Sequence, residues 1–156
     1  MCCWIYVYSV SGTPGSYRNI CNNGNTGPYS AAFSIFLAHE GTLVFAVAAG
    51  ALDYNVWHTF DSLNPISLNA WHFVSCRHDP AADVLKANID AAQDSEPWDK
   101  GIASPSSDWV IGRHSPTHNL NYMDGRVGPM MVWNRALSDA EISQLYNAGN
   151  GLAFPF

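Results

Sequence analysis

Apolar and aromatic residues recur at alternate positions in short runs, separated by Gly, Pro, Asn and Asp. This period-two pattern is that of half-buried β-strands. Trp4 to Val10 alternates in this way. Asn22 to Pro28 is rich in Asn and Gly and reads as a loop. Ala31 to Ala38 and Thr42 to Ala49 form two strands, with His39-Glu40-Gly41 as the hairpin between them. Val56 to Phe60 is a further short run. Trp71 to His78 and Val84 to Ile89 flank a second hairpin at Asp79 to Asp83. Residues 91 to 108 are irregular, broken by Pro97, Gly101 and Pro105, with Trp98 among them. Trp109 to Ile111 resumes the strand pattern, and His114 to Leu120 is a loop around Pro116.

One stretch changes period. From Asp124 the pattern is that of a strand, with Met130 and Val132 on one side and Met131 and Trp133 on the other. Ser138 then stands three residues before Glu141, the spacing of a capping box, and Leu137 and Ile142 are placed as a hydrophobic staple. Gly149 offers a left-handed stop. A helix of about two turns cannot stand alone in water. It must lie on a larger body, through Leu145 and Tyr146. Many short strands and one late helix predict an all-β sandwich of two antiparallel sheets with one short C-terminal helix.

A chain of 156 residues is expected to form a single domain, 1–156. At that length roughly 70% of the unfolded surface is buried, so folding requires neither metal nor disulfide. Hydrophobic residues make up 47% and charged residues 13%, which excludes a disordered chain. Seven basic residues against 13 acidic ones give a net charge of −6 and no basic stripe, so nucleic acid is not an expected partner. No apolar run approaches the ~20 residues of a membrane-spanning helix. The first basic residue is Arg18, so the apolar N-terminus reads as a strand rather than a signal peptide. On that reading the chain is a piece of a larger exported protein or reaches its place by assembly.

Cys2 and Cys3 are adjacent and face opposite sides of a strand, so they do not pair with each other. Cys21 and Cys76 are isolated, and no C-x-x-C zinc pattern occurs. Four buried or semi-buried free thiols are expected, with a single long-range bridge involving Cys76 as the alternative.

The segment DGRVGPMMVWNRALSDAEISQLYN resembles the closing signature of laminin G-like domains of the concanavalin A-like lectin and glucanase superfamily. Asn69 to Val74 is similar to the Trp-His-x-Val strand of that family, Trp109 to Arg113 to its Ile-Gly-Arg strand, and Cys3 to Val7 to its early Trp-containing strand. The resemblance implies a concanavalin A-like jelly roll and assigns Trp4, Trp71, Trp109 and Trp133 to core strands. It also implies an additional strand before Trp4, which this chain lacks. An unpaired flank of Trp4 to Val10 would then need cover, from another chain or from the tail Gly151 to Phe156.

Three chemistries follow from the resemblance. Glycosidases of this fold carry Glu-x-Asp-x-x-Glu, a carboxylate pair flanking the scissile bond. Glu40, Glu96 and Glu141 are the only glutamates, and none has an Asp two residues later, so no enzymatic activity is expected. The superfamily often holds calcium in rim loops through Asp and Asn oxygens. Asp90 and Asp124 are the candidates, although Ile89-Asp90-Ala91 lacks the family's Gly and both aspartates also fit solvated turns. His114 and His118 are separated by Pro116 and read as loop residues rather than zinc ligands. Sugars are held by displayed aromatics with polar neighbours. Trp57, Tyr54 and His58 lead that set, with Trp98 and Tyr122.

Together these features predict a non-catalytic, surface-displayed module that binds glycan or protein through its loops. The alternative is a structural virion protein, a capsid decoration or tail component, with many copies assembled. A glycoside hydrolase comes last. In either leading case the expected location is extracellular or on a virion surface, without a signal peptide of its own.

Overall fold

A computed structural model describes residues 1–10, 16–23, 33–48, 57–60, 63–102, 108–113 and 121–152, with the backbone alone at 57–59. Tyr54, His114, His118 and residues 153–156 of the tail lie outside the described residues, as do the side chains of Trp57 and His58.

Strands run in chain order as β1 (Cys2–Ser9), β2 (Tyr17–Asn22), β3 (Phe33–Ala38), β4 (Leu43–Val47), β5 (Trp57–Thr59), β6 (Trp71–Asp79), β7 (Val84–Ile89), β8 (Ala92–Pro97), β9 (Val110–Ile111) and β10 (Asp124–Met131). Helix α1 (Asp139–Tyr146) follows. One sheet has the order β10-β1-β6-β7-β8 and the other β5-β4-β3-β2-β9. Each pairing is antiparallel. This is the concanavalin A-like jelly-roll sandwich, with its short helix at the C-terminal end.

Alternation along β1 decides what each sheet face does. Cys3, Ile5 and Val7 point inward and pack with Ile35, Phe45 and Leu85 in the core between the sheets. Cys2 points the other way and joins Phe73 of β6 beneath the helix residues Leu137, Ile142 and Leu145. The adjacent cysteines therefore serve different clusters, and all four cysteines are free and buried. Trp4 closes the helix side, stacked on Tyr146 with 6.2 Å between ring centroids.

The capping box forms as the spacing predicts. Ser138 Oγ accepts from the Glu141 amide at 3.2 Å, and the Glu141 carboxylate accepts from the Ser138 amide at 2.8 Å. The helix stops earlier than Gly149. Asn147 takes the left-handed cap at φ 49°, its amide bonded to the Ser143 carbonyl. Asn tolerates that region because its short polar side chain bonds locally, here to the Gly151 carbonyl at 2.7 Å.

Three expectations need correction. First, β1 has no free flank: β10 pairs along one side and β6 along the other. Residues 124–131 of the same chain cover that flank, so neither the tail nor a neighbour is needed there. Second, residues 92–97 are not irregular but form β8, in continuous register with β7. Its sequence AQDSEP is polar because β8 is an edge, where solvated and charged residues are tolerated and discourage further pairing. Third, two of the four tryptophans assigned to packing are displayed: Trp71 is 46% and Trp109 42% exposed.

Candidate functional site

At one end of the sandwich the start of β1, β3 and β9 and the end of β2, β6 and β10 meet, with Ile102 beyond β8 beside them. Between them lies a cleft of about 720 Å³, within the range of small-ligand pockets. Trp109, Trp133, Val132, Phe33, Ile102 and Pro80 give it apolar walls. Asn23, Arg77, His78, Asn134 and Arg135 bring polar groups to the same space. No Asp or Glu lines it among the described residues.

Local structure explains how these side chains arrive. Trp109 precedes the two-residue strand β9 and leans edge-on against Phe33, with centroids 5.8 Å apart and planes at 64°. That contact fixes the indole while leaving much of it in solvent. Asn23 is locked at the end of β2, because its Oδ1 accepts from the Phe33 amide at 2.8 Å and its own amide reaches the Phe33 carbonyl at 3.1 Å. Beyond Met131 the chain leaves the sheet, and Val132 to Ala136 lines the cleft before the helix cap.

The cations here are held by acids outside the cleft. Arg77 is 4% exposed and uses Nη2 on Gln93 and Asp139. Its Nη1 is buried with no partner among the described residues. Lys86 also reaches Asp139, at 3.3 Å. Burial lowers the Arg77 pKa and Asp139 draws it back up; a guanidinium keeps its proton in either case. Arg135 forms a two-pronged pair with Glu141, at 2.6 and 3.0 Å. That pair, with the Ser138 bonds, depresses the Glu141 carboxyl to about 2. Burial pushes the His78 imidazole below its ordinary value, against the opposing pull of Asp79 and Asp83. A neutral imidazole has one ring nitrogen to donate and the other to accept.

The residues singled out from sequence are scattered. Trp98 is 4% exposed, and its indole N–H donates to the Gly101 carbonyl at 2.6 Å, so it is a core residue and not a displayed ring. Tyr122 is 49% exposed, just before β10. Asp90 occupies the β7–β8 turn at φ 55°. Its two oxygens take the Phe73 amide at 2.8 Å and His72 Nδ1 at 2.7 Å, which ties the turn back to β6. Asp124 accepts from Ser9 Oγ at 2.7 Å. Asp90 and Asp124 are thus engaged at separate places, and no group of three or more His, Cys, Asp or Glu side chains is placed for a metal among the described residues. Trp57 begins β5, across from Ala46.

Sequence reasoning missed Trp109, His78, Asn134 and Arg135. A signal was available for Trp109: it follows Ser106-Ser107-Asp108, a polar approach unlike that of a core strand.

A family model described as the concanavalin A-like lectin/glucanases superfamily matches residues 1–143. A search of curated proteins found no match. Several solved structures share the fold. A Bacteroides ovatus protein assigned as carbohydrate-binding superposes with a TM-score of 0.68 at 16% identity, covering 91% of this chain and 38% of that one. This chain thus spans under two fifths of that protein. The CBM40 module of the Ruminococcus gnavus IT-sialidase, bound to α2,3-sialyllactose, gives 0.68 at 14% identity, covering 97% of this chain and 80% of that one. The heptameric SAP-like pentraxin of Limulus polyphemus gives 0.65 at 16% identity, covering 97% and 70%.

Proposed function

Because the chain belongs to the concanavalin A-like lectin/glucanases superfamily, we propose that it is a non-catalytic glycan-recognition module that binds sugar in the cleft at the sandwich end. The observation that carries this reading is the displayed Trp109 on the wall of a 720 Å³ cleft that also presents His78, Asn134 and Arg135. A partly exposed indole offers an apolar face to a sugar ring, and the Asn134 amide, the imidazole and the outer N–H groups of the guanidinium offer hydrogen bonds to its hydroxyls. The carbohydrate-binding relatives of the same fold support the ligand class.

A non-catalytic role fits the lining. Glycoside hydrolysis uses two carboxylates about the scissile bond, and the described lining residues include none. Glu141, the glutamate nearest in sequence to the cleft residues, is held by Arg135 and the Ser138 cap. The virion reading drew part of its support from an uncovered β1 edge. With β10 paired there, that support is gone.

A screen of immobilised glycans tests the proposal. Wild-type protein should be retained by at least one oligosaccharide class, and Trp109→Ala should lose retention while keeping its melting temperature. Equal retention of wild type and Trp109→Ala, or steady release of reducing sugar by the purified protein, contradicts it.

A further inference from the structure

A second constellation lies on the outer face of the β10-β1-β6 sheet, away from the cleft. Alternation on β1 sends Ile5 and Val7 into the core and leaves Tyr6 and Tyr8 outside. Across one ladder Tyr6 faces Trp71 of β6; across the other it faces Arg126 of β10. The rings form a row, with centroids 5.6 Å apart from Trp71 to Tyr6 and 5.3 Å from Tyr6 to Tyr8. Arg126 lies over both tyrosines, at 5.8 and 5.7 Å from their ring centroids.

Folding does not account for this row. None of the four residues belongs to a buried cluster. Trp71 is 46% and Tyr8 39% exposed. Arg126 forms no ion pair or hydrogen bond among the described residues, and the Tyr6 and Tyr8 hydroxyls and the Trp71 indole N–H are likewise uncommitted. A guanidinium without a carboxylate partner stands out in a protein of net charge −6. Beside the row, Asp124 keeps its bond to Ser9.

We infer that this face is a second binding surface, for a glycan bearing carboxylate or sulfate groups. The displayed Trp71 indole, edge-on to Tyr6 with planes at 69°, accepts the face of a sugar ring, the Tyr6 and Tyr8 hydroxyls bond to its hydroxyls, and the forked guanidinium matches a carboxylate or sulfate oxygen pair. Asp124 gives the opposite function, an acceptor for sugar hydroxyls. A second copy of this chain fits less well. A two-fold contact pairs the same patch with itself, and here it would bring two Arg126 guanidinium groups together. The inference stands apart from the cleft and does not depend on it.

Affinity electrophoresis tests it, with polygalacturonate, dextran sulfate and neutral dextran cast in separate gels. Wild type should be retarded by one or both polyanions and not by dextran. Polygalacturonate alone assigns the carboxylate, dextran sulfate alone the sulfate. Trp71→Ala and Arg126→Gln should each weaken retardation several-fold, and Arg126→Lys should fall between Arg126→Gln and wild type. Trp71→Ala keeps every charge and so separates stacking from plain ion exchange. Trp109→Ala in the cleft should be retarded like wild type, so failure here is distinguishable from failure of the cleft proposal. All of these side chains are partly or largely in solvent, and melting temperatures check that the variants are folded. The inference is overturned if neither polyanion retards the wild type, if dextran retards it equally, or if Trp71→Ala and Arg126→Gln migrate as wild type does. A concentration-dependent dimer abolished by Trp71→Ala would assign the face to a second copy and also overturn it.

Discussion

Gly125 on β10 passes so close to Tyr6 on β1 that a β-carbon at position 125 would overlap the Tyr6 carbonyl oxygen. The obstruction is backbone, which no rotamer change relieves. Gly125→Ala should cost about 3 kcal/mol, at the upper end for overpacking, read from urea denaturation. Stability equal to wild type would show that β10 does not lie against β1 as described.

Helix α1 depends on one residue at its start. Ser138→Ala removes the cap on the Glu141 amide and should cost about 1 kcal/mol. Acid should weaken the same cap. Glu141 is depressed to about 2 in the folded protein, first by Arg135 and then by Ser138, against about 4.3 unfolded. A depressed carboxyl stabilises above its unfolded value, and that contribution fades as pH falls through the folded value. Wild type should therefore lose melting temperature between about pH 4.3 and 2 more steeply than Glu141→Gln. Parallel profiles would contradict the cap geometry.

Asp139 answers the buried charge of Arg77. Arg77 is 4% exposed while Asp139 keeps 58% of its side chain in water, so removing the acid strands a buried guanidinium and removing Lys86 does not. Asp139→Ala should cost about 2 kcal/mol, as for a hydrogen bond to a charged group. Lys86→Ala should cost about 0.5 kcal/mol or less. Equal effects in thermal melts would place the Arg77 charge elsewhere.

Burial pushes the Cys2 thiol up to about 11 and Cys3 up to about 12, and raises Cys21 and Cys76 as well. Thiolate is the reactive form. Ellman's reagent should find no fast-reacting thiol in native protein and four in denaturant. A fast native thiol, or fewer than four after unfolding without reductant, would contradict the free, buried assignment.

Local signals were the most legible part of the sequence. The capping box, the staple and the alternation of Met130 and Met131 each lie within a few residues, and the structure reproduces them. Long-range pairing was not legible. Ser9 and Asp124 are 115 positions apart, and nothing within β1 says that β10 will close its flank. Strand β8 escaped because an edge strand needs no apolar alternation. The family resemblance places Trp71 and Trp109 on core strands, but it does not tell whether the face each ring takes is covered, and both rings are displayed. Trp98 misled in the other direction: an irregular polar surrounding concealed a core ring whose N–H is satisfied three residues on. Tyr54, Trp57 and His58 have no described side-chain position against which to set the reading.

The cleft proposal is tested most directly by the six tryptophan indole resonances in a ¹⁵N spectrum, titrated with an oligosaccharide retained in the glycan screen. Trp109 and Trp133 line the cleft, whereas Trp98 is buried with its N–H bonded to Gly101. The account predicts that the Trp109 and Trp133 signals shift in a saturable way while Trp98 stays fixed. Saturable binding that leaves both Trp109 and Trp133 unmoved would contradict it.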